Sequence, residues 1–176
     1  MSDLDSILTA RLLVRRSRPS DADAISAYRS DPAVNRYQGW ARTDPEGVRA
    51  EIEAMVSRSP GDPGGWVQYS VLEQATQRLV GDVGMSPADE EPGVIKVGYT
   101  MDPRHQGRGY ATEAVGALIV IAFETLGAEV VRAYASSENV PSIRVAEKVG
   151  MTLVERFERS YGGRTWQGVR YERRRA

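Results

Sequence analysis

Cysteine is absent from this sequence and histidine occurs once, as His105, and these two scarcities exclude several kinds of site. Without cysteine the chain has no disulfide, no thiolate metal ligand and no cysteine nucleophile. A single imidazole cannot build a multi-histidine metal site, and it argues against a Ser-His-Asp triad. We therefore expect a protein that uses neither a metal ion nor thiol chemistry of its own.

Long apolar runs and a net charge are also lacking. The longest apolar stretch, around residues 115–123, is interrupted by Gly116 and is shorter than the ~20 residues that span a bilayer. The first residues carry Asp3 and Asp5 and do not resemble a secretory signal. With 23 basic and 24 acidic residues the formal net charge is −1, which gives no support to nucleic-acid binding. We expect a cytoplasmic protein whose partners include neither a membrane nor a nucleic acid.

What is present is the composition of one globular domain over residues 1–176, with 41% hydrophobic and 27% charged residues. Apolar periodicity, capping residues and turn residues divide the chain into elements. The predicted strands are Leu12–Val14, Trp66–Leu72, Leu79–Met85, Val94–Met101, Val130–Ala135, Met151–Phe157 and Thr165–Tyr171. The first two predicted helices begin at the cap Ser20 and at the capping box of Thr43 and Glu46, and they end at Pro32 and before Ser59. Apolar residues from Ala111 to Leu126 predict the longest helix, which ends near Gly127, and a last short helix runs from the cap Asn139 to Val149, before Gly150. This order predicts a mixed α/β layered fold that includes an antiparallel meander of three strands.

The segment 98–114 combines a strand end, a loop with two glycines and the start of the longest helix. Gly107 and Gly109 have no Cβ, so that the backbone can approach a bulky anion closely. The amides of a helix N-terminus point at such an anion, and the helix dipole attracts it. We therefore predict a site for a pyrophosphate group. The alternative is that both glycines only shape a turn between strand and helix.

Two common phosphate motifs do not fit this segment. No Gly-Lys-Ser/Thr follows, which excludes a P-loop. A dinucleotide fingerprint requires a third glycine where Thr112 stands, and an acidic residue at the end of the next strand, where the sequence has Ala135 and Ser136. A nucleotide-binding domain thus remains as a less favoured reading.

Arg104-x-x-Gly107-x-Gly109, followed by Tyr-Ala-Thr-Glu-Ala, resembles the acyl-CoA-binding motif of the GNAT superfamily of N-acetyltransferases. Asn139-x-x-Ser142, continuing to Gly150 and Met151, is similar to the second conserved block of that family. Upstream, the segments 9–15 and 31–37 resemble the subgroup of ribosomal-protein N-terminal (alanine) acetyltransferases. The resemblance covers residues 9–171.

The resemblance implies a GNAT-type fold, with a mixed, mostly antiparallel central sheet and helices on both faces. It also implies acetyl-CoA (or another acyl-CoA) as co-substrate, without a metal. The strand that ends at Met101 would splay from the next strand and open a slot for the pantetheine arm. The cofactor-binding residues that the resemblance implies are Tyr99, Thr100, Met101, Arg104, Gln106, Gly107, Arg108, Gly109, Tyr110, Ala111, Asn139 and Ser142.

The catalytic groups are less clear from the resemblance. Many family members carry a tyrosine seven residues after the asparagine, as the acid for the leaving thiolate, and this chain has Ala146 there. Ser142, a bound water or direct release of the thiolate remain open. Lys96 stands where relatives often have an acid, and His105 is interpreted as a variable loop residue. The candidate bases, none of them preferred, are Asp82, Glu113 and Glu155.

The acceptor site is expected in the loop before the second predicted helix, where Tyr37 and Trp40, together with Trp66, either line it or merely cover the core. We expect acetylation of a primary amine, on a protein N-terminus or on a small molecule. The alternative is a non-catalytic acyl-CoA-binding or regulatory protein, which Ala146 and Lys96 favour. The sequence leaves open whether the chain is a monomer or a homodimer.

Overall fold

The computed structural model of the chain describes residues 4–38, 40, 42–161 and 164–176, with Tyr161 and Arg164 described by their backbone only. These residues form one sheet of eight strands in the order β1-β2-β3-β4-β5-β6-β8-β7. The strands are β1 Ser6–Leu8, β2 Leu12–Arg16, β3 Val67–Glu73, β4 Leu79–Ala88, β5 Glu91–Met101, β6 Val130–Ser136, β7 Thr152–Tyr161 and β8 Arg164–Arg174. All neighbouring strands are antiparallel except β5 and β6, which are parallel.

The helices in the described residues are α1 Ala22–Arg29, α2 Pro32–Asn35, α3 Pro45–Met55, α4 Tyr110–Val120 and α5 Val140–Lys148. A π-helical turn, Ile121–Thr125, extends α4, and Gly127 follows it with φ of +67°. None of the helices in these residues combines the length and the apolar character needed to cross a membrane.

Helices cover both faces of the sheet, because side chains along each strand alternate between the faces. On one face, Tyr69 of β3 and Val83 of β4 pack in one buried cluster with Leu118 of α4. On the other face, Asp82 of β4 contacts Tyr28 of α1. The expected mixed, mostly antiparallel sheet with helices on both faces is therefore confirmed.

Two predicted helix starts are wrong, and side-chain carboxylates explain both. Residues Pro19–Asp21 form a 3₁₀ turn, and α1 begins after Asp21 rather than at a Ser20 cap. The Asp21 carboxylate accepts from the Arg18 N–H at 2.9 Å and from Arg15 at 2.7 Å, which stabilises the turn. The cap of α3 is Asp44, whose carboxylate accepts from the Gly47 N–H at 3.0 Å, so that Thr43 and Glu46 form no capping box.

Other predictions of local structure are confirmed. Asn139 caps α5 by accepting from the Ser142 N–H at 3.3 Å, and Gly150, just beyond the helix, has φ of +80°. Both ends of each strand from β3 to β6 lie within three residues of the predicted ends. Strand β1 and the single turn of α2 were not predicted.

Candidate active site

A slot opens in the sheet where β5 and β6 part. Their parallel pairing runs from Val94–Val130 to Val97–Ala133 and then stops. Beyond that point residues 98–101 pair with β4 alone, and residues 134–136 of β6 pair with β8 alone. The edges that face each other across the slot thus carry backbone N–H and C=O groups that need partners. One of them, the Met101 carbonyl, accepts from the Gln106 side chain at 3.1 Å.

The N-terminus of α4 lies next to this slot, a few residues after the end of β5. Gly107 and Gly109 have φ of +74° and +80°, in the left-handed region that strains any residue with a Cβ. A Cβ on Gly107 would meet nothing within 4 Å, so that open space lies beside this part of the backbone. The first intrahelical bond is that from the Glu113 N–H to the Gly109 carbonyl, which leaves the amides of residues 110–112 to other partners. This arrangement fits a bound anion.

Arg104 is tied to the loop in front of α4 by a buried aspartate. Its Nε and Nη2 donate to Asp102 at 3.0 and 2.6 Å, although the Arg104 side chain is itself well exposed. These hydrogen bonds and the charge of Arg104 hold the pKa of Asp102 below its usual value. His105 is buried behind the same loop, with its Nδ1 3.6 Å from Asp102. The charge of Arg104 is therefore already paired with that of Asp102.

Glu113 belongs to a cluster that fastens the N-terminal segment to α4. Thr9 Oγ1 donates to its carboxylate at 2.6 Å, the Arg11 N–H at 2.8 Å and the Arg11 guanidinium at 2.7 Å. Burial raises the pKa of Glu113, but the bonds from Thr9 and Arg11 outweigh it and hold the pKa below its usual value. Thr9, Arg11 and Glu113 thus join the N-terminal segment to the first turn of α4. A carboxylate with this many donors is poorly placed to accept a proton from a substrate.

The first turn of α5 faces β5 across the slot through two hydroxyl groups. Tyr99 donates its hydroxyl hydrogen to the Ser142 carbonyl at 2.7 Å, and Ser142 Oγ donates to the Tyr99 oxygen at 3.1 Å. The sequence analysis named Tyr99 for its backbone and missed its hydroxyl. Burial raises the pKa of Tyr99 above its usual value. Ala146, at the position of the family's tyrosine, is buried and offers no hydroxyl.

Asp82 lies on the opposite face of the sheet and is almost completely buried. Tyr28 Oη and Gln68 Nε2 donate to its two carboxylate oxygens, and Arg29 Nη2 lies 3.5 Å away. Burial raises the pKa of Asp82, and the positive charge of Arg29 opposes this only in part. With both oxygens occupied and no access to solvent, Asp82 is built as a structural anion.

The third candidate base and the lysine in β5 lie at the surface. Glu155 of β7 pairs with Arg170 of β8 at 3.3 Å, and about half of its side chain is exposed (49%). Lys96 pairs with Asp89 at 3.2 Å. Of the three candidate carboxylates, Glu155 is therefore the most accessible to solvent.

The loop between α2 and α3 reaches the C-terminal end of β5. Gln38 in this loop donates to Thr100 Oγ1 at 3.3 Å. The half-buried Trp40 lies under the Arg29 guanidinium at 4.6 Å, and the Tyr37 ring lies 5.1 Å from Arg36.

Trp66 packs over the same region of the sheet. A Cβ on Gly98 would lie 3.0 Å from its indole, and Trp66 Nε1 donates to Gln68 Oε1 at 2.6 Å. Of the aromatic residues expected at the acceptor site, Trp66 thus packs against β5, and Trp40 packs against Arg29 of α1. Within the described residues, no three His, Cys, Asp or Glu side chains are grouped so as to hold a metal ion.

Comparison with known proteins identifies the family. The family profile described as "Acetyltransferase (GNAT) domain" matches residues 11–152. The chain belongs to the GNAT acetyltransferase family. Over 163 residues it is 29% identical to the uncharacterized N-acetyltransferase p20 of Bacillus licheniformis, which covers 90% of each chain. This GNAT protein is an acetyltransferase, and its family uses acetyl-CoA as the acetyl donor.

Solved structures share the fold over nearly the whole chain. A GNAT-family acetyltransferase from Bacillus anthracis superposes with a TM-score of 0.84 and 25% identity, covering 96% of this chain and 98% of that one. RimL, a ribosomal L7/L12 alpha-N-protein acetyltransferase solved in complex with coenzyme A, gives a TM-score of 0.83 at 17% identity, covering 97% and 98%. The GNAT fold of this chain is therefore shared with both of these acetyltransferases.

Proposed function

We propose that this chain is a single-domain N-acetyltransferase that moves the acetyl group of acetyl-CoA to a primary amine by direct attack. The observation that carries the proposal is the parting of β5 and β6 after Val97–Ala133, immediately beside the N-terminus of α4. One surface thus offers free strand groups for an amide-bearing arm and free helix amides for a diphosphate. The absence of cysteine removes a thiol that could carry the acetyl group, which favours direct transfer.

The proposed coenzyme site follows the chain around this surface. The pantetheine arm would pair with the backbone of Tyr99, Thr100 and Met101, and Asn139 and Ser142 would line the opposite edge. The diphosphate would accept from backbone N–H groups of the segment 106–111, namely Gln106, Gly107, Arg108, Gly109, Tyr110 and Ala111, with Arg104 beside it. RimL, which has the same fold, was solved in complex with coenzyme A, and this supports coenzyme A as the ligand.

In the proposed reaction a neutral amine attacks the acetyl carbonyl carbon, a C–N bond forms, the C–S bond breaks, and the thiolate of coenzyme A leaves. A thiol of this kind has a pKa near 8.5, so that the thiolate needs little acid assistance. Ser142 carries the hydroxyl proposed to protonate it. Tyr99 donates its own hydroxyl hydrogen to the Ser142 carbonyl and accepts from Ser142 Oγ, and we therefore assign to Tyr99 the positioning of Ser142.

The acceptor amine must lose a proton, and the site offers little basic strength. Asp82 and Glu113 are occupied by hydrogen bonds, and Lys96 adds no base, which leaves water or Glu155. An α-amine with a pKa near 8 is partly neutral at pH 7, whereas a side-chain amine near 10 is almost fully protonated. We therefore propose a peptide or protein N-terminus as the preferred acceptor over a polyamine, held beside Tyr37 and Trp40.

A mass-spectrometric screen tests the proposal. The protein is incubated with acetyl-CoA and separate pools of peptides with free N-termini, polyamines and aminoglycosides, and acetylated products are identified. We expect acetylated products mainly among the peptides, because the α-amine has the lower pKa, and each product should gain ~42 Da as an acetyl group replaces one hydrogen. Binding of acetyl-CoA without transfer to any pool would support the non-catalytic alternative, and transfer to polyamines alone would contradict the acceptor preference.

A further inference from the structure

The Arg11 side chain lies at the N-terminus of α4, although it comes from the loop between β1 and β2, far upstream of the coenzyme motif. Its Nη1 donates to the Arg108 carbonyl at 2.9 Å, and its Nε donates to Glu113 Oε2 at 2.8 Å. The guanidinium lies 4.8 Å from the centre of the Tyr110 ring. Its Nη2 is 3.4 Å from the position that a Cβ on Gly109 would occupy. It therefore borders the residues that begin the helix.

This arginine offsets two negative features at a place where an anion is expected. The Glu113 carboxylate lies in the first turn of α4, and the Arg108 carbonyl lies just before that turn. Each would repel a diphosphate bound at the N-terminus of α4, because like charges and the negative ends of dipoles disfavour an anion. The Arg11 guanidinium neutralises the charge of the Glu113 carboxylate and donates a hydrogen bond to the Arg108 carbonyl.

Arg11 also retains capacity to bind. A guanidinium has five N–H donors, and the hydrogen bonds among the described residues use one on Nε and one on Nη1, while Nη2 forms an ion pair with Glu113 Oε2 at 2.7 Å. One N–H on each terminal nitrogen is left, and about half of the side chain is exposed (49%). A planar pair of donors of this kind suits a phosphate group.

We propose that Arg11 is a binding residue for the diphosphate of the coenzyme, both as a direct donor and by cancelling the charge of Glu113. The inference rests on the proposed function, since it assumes coenzyme A at the N-terminus of α4. It assigns to the N-terminal segment a part in coenzyme binding, beside the backbone amides of the segment 106–111.

The test measures dissociation constants by titration calorimetry for coenzyme A and for pantetheine, which lacks phosphate. Arg11→Gln removes the charge and should raise the Kd for coenzyme A about tenfold, in line with a hydrogen bond to a charged group, while the Kd for pantetheine changes less than about twofold. Arg11→Lys keeps the charge without the paired donors and should give about a threefold rise. Arg49→Gln, on α3 and paired with Asp23 at 3.9 Å, is the matched control and should leave both constants unchanged.

Glu113→Gln separates this inference from a purely structural clamp. If Arg11 acts on the diphosphate, loss of the carboxylate leaves coenzyme A binding unchanged or tighter, the opposite of Arg11→Gln. If the ion pair only holds the fold together, both variants weaken coenzyme A and pantetheine alike, and the inference is overturned. It is also overturned if Arg11→Gln binds coenzyme A like the unaltered protein. If the unaltered protein binds no coenzyme A at all, the proposed function itself fails.

Discussion

Replacement of Asp82 by alanine removes the carboxylate on which three buried donors converge. Tyr28 and Gln68 donate to its two oxygens, and Arg29 lies 3.5 Å away. In the variant, Arg29 keeps its bond to Glu51 at 3.0 Å and its contact with the Trp40 ring at 4.6 Å, and its Nε has no hydrogen-bond partner among the described residues even in the unaltered protein. The perturbation thus leaves a buried cation half paired and two neutral donors without an acceptor.

The expected loss of unfolding free energy is about 4 kcal/mol. Removal of one partner of a buried ion pair costs about 3–5 kcal/mol, and each orphaned neutral donor about 1–3 kcal/mol. These terms overlap, because the side chains can shift toward one another and water can enter the cavity. We therefore take the middle of the ion-pair range, which is a large share of a total stability of about 5–15 kcal/mol.

Urea unfolding, followed by circular dichroism, measures this loss. Asp89→Ala is the control, since Asp89 is an exposed partner of Lys96 and its loss should cost less than about 1 kcal/mol. Asp82→Asn keeps the shape and one acceptor, and should lose about 2 kcal/mol. If Asp82→Ala unfolds within about 1 kcal/mol of the unaltered protein, with the same denaturant slope, the buried network does not stabilise the fold as argued here.

Three further predictions concern the site and the pH. Gly109→Glu adds backbone strain of about 1–2 kcal/mol and a negative charge, and it should raise the Kd for coenzyme A at least tenfold in calorimetry. Gly109→Ala is the control that measures the strain alone. Unchanged affinity in a folded Gly109→Glu variant would count against the N-terminus of α4 as the coenzyme site. Tyr99→Phe should slow thiol release from acetyl-CoA less than about tenfold, because the Tyr99 hydroxyl is proposed only to position Ser142. A loss of about 10²–10⁴-fold would instead identify Tyr99 as a general acid. Burial raises the pKa of Asp21, but hydrogen bonds from Arg15, the Arg18 N–H and Ser70 outweigh it and hold this pKa below its value in the unfolded chain. The ionised Asp21 carboxylate therefore stabilises the fold above about pH 4, and this contribution is lost as the pH falls further. The melting temperature should therefore fall between pH 7 and pH 3, and it should fall less in Asp21→Asn. An equal fall in both proteins would refute the assignment of this pH dependence to Asp21.

Local sequence signals predicted most of the fold because they act over a few residues. The alternation in β3 to β5 and the glycines beyond α4 and α5 are of this kind. The misses are also local. Strand β1 has only three residues and pairs with β2 at the sheet edge, which gives too short a pattern to recognise. Pro32 correctly indicates the end of α1, but it also begins α2, whose first turn Asp31 caps through the Ala33 N–H at 2.8 Å.

Within the candidate site, the sequence identified backbone positions better than side-chain partners. The glycine pattern marks Gly107 and Gly109 because both adopt a positive φ, a conformation that the residue type itself favours. A hydrogen bond between distant side chains leaves no such mark. The bonds of Arg11 to Glu113 and of Tyr99 to Ser142 join residues 102 and 43 positions apart. Alternation along β5 places Tyr99 on the face of α4, and this was the one available signal for its hydroxyl.

The same geometry explains why two acidic candidates read from the sequence are unsuited to act as a base. A general base must keep a lone pair free and near the substrate, and the distances show where donors already occupy it. Glu113 is held by Thr9 and Arg11, and Asp82 by donors from α1 and β3. Both carboxylates instead hold neighbouring side chains in place: Glu113 holds Arg11 at the N-terminus of α4, and Asp82 holds Tyr28 and Gln68 on the other face of the sheet. Under the proposed function the acceptor must therefore give up its proton readily. This requirement favours an α-amine with a pKa near 8 over a side-chain amine with a pKa near 10.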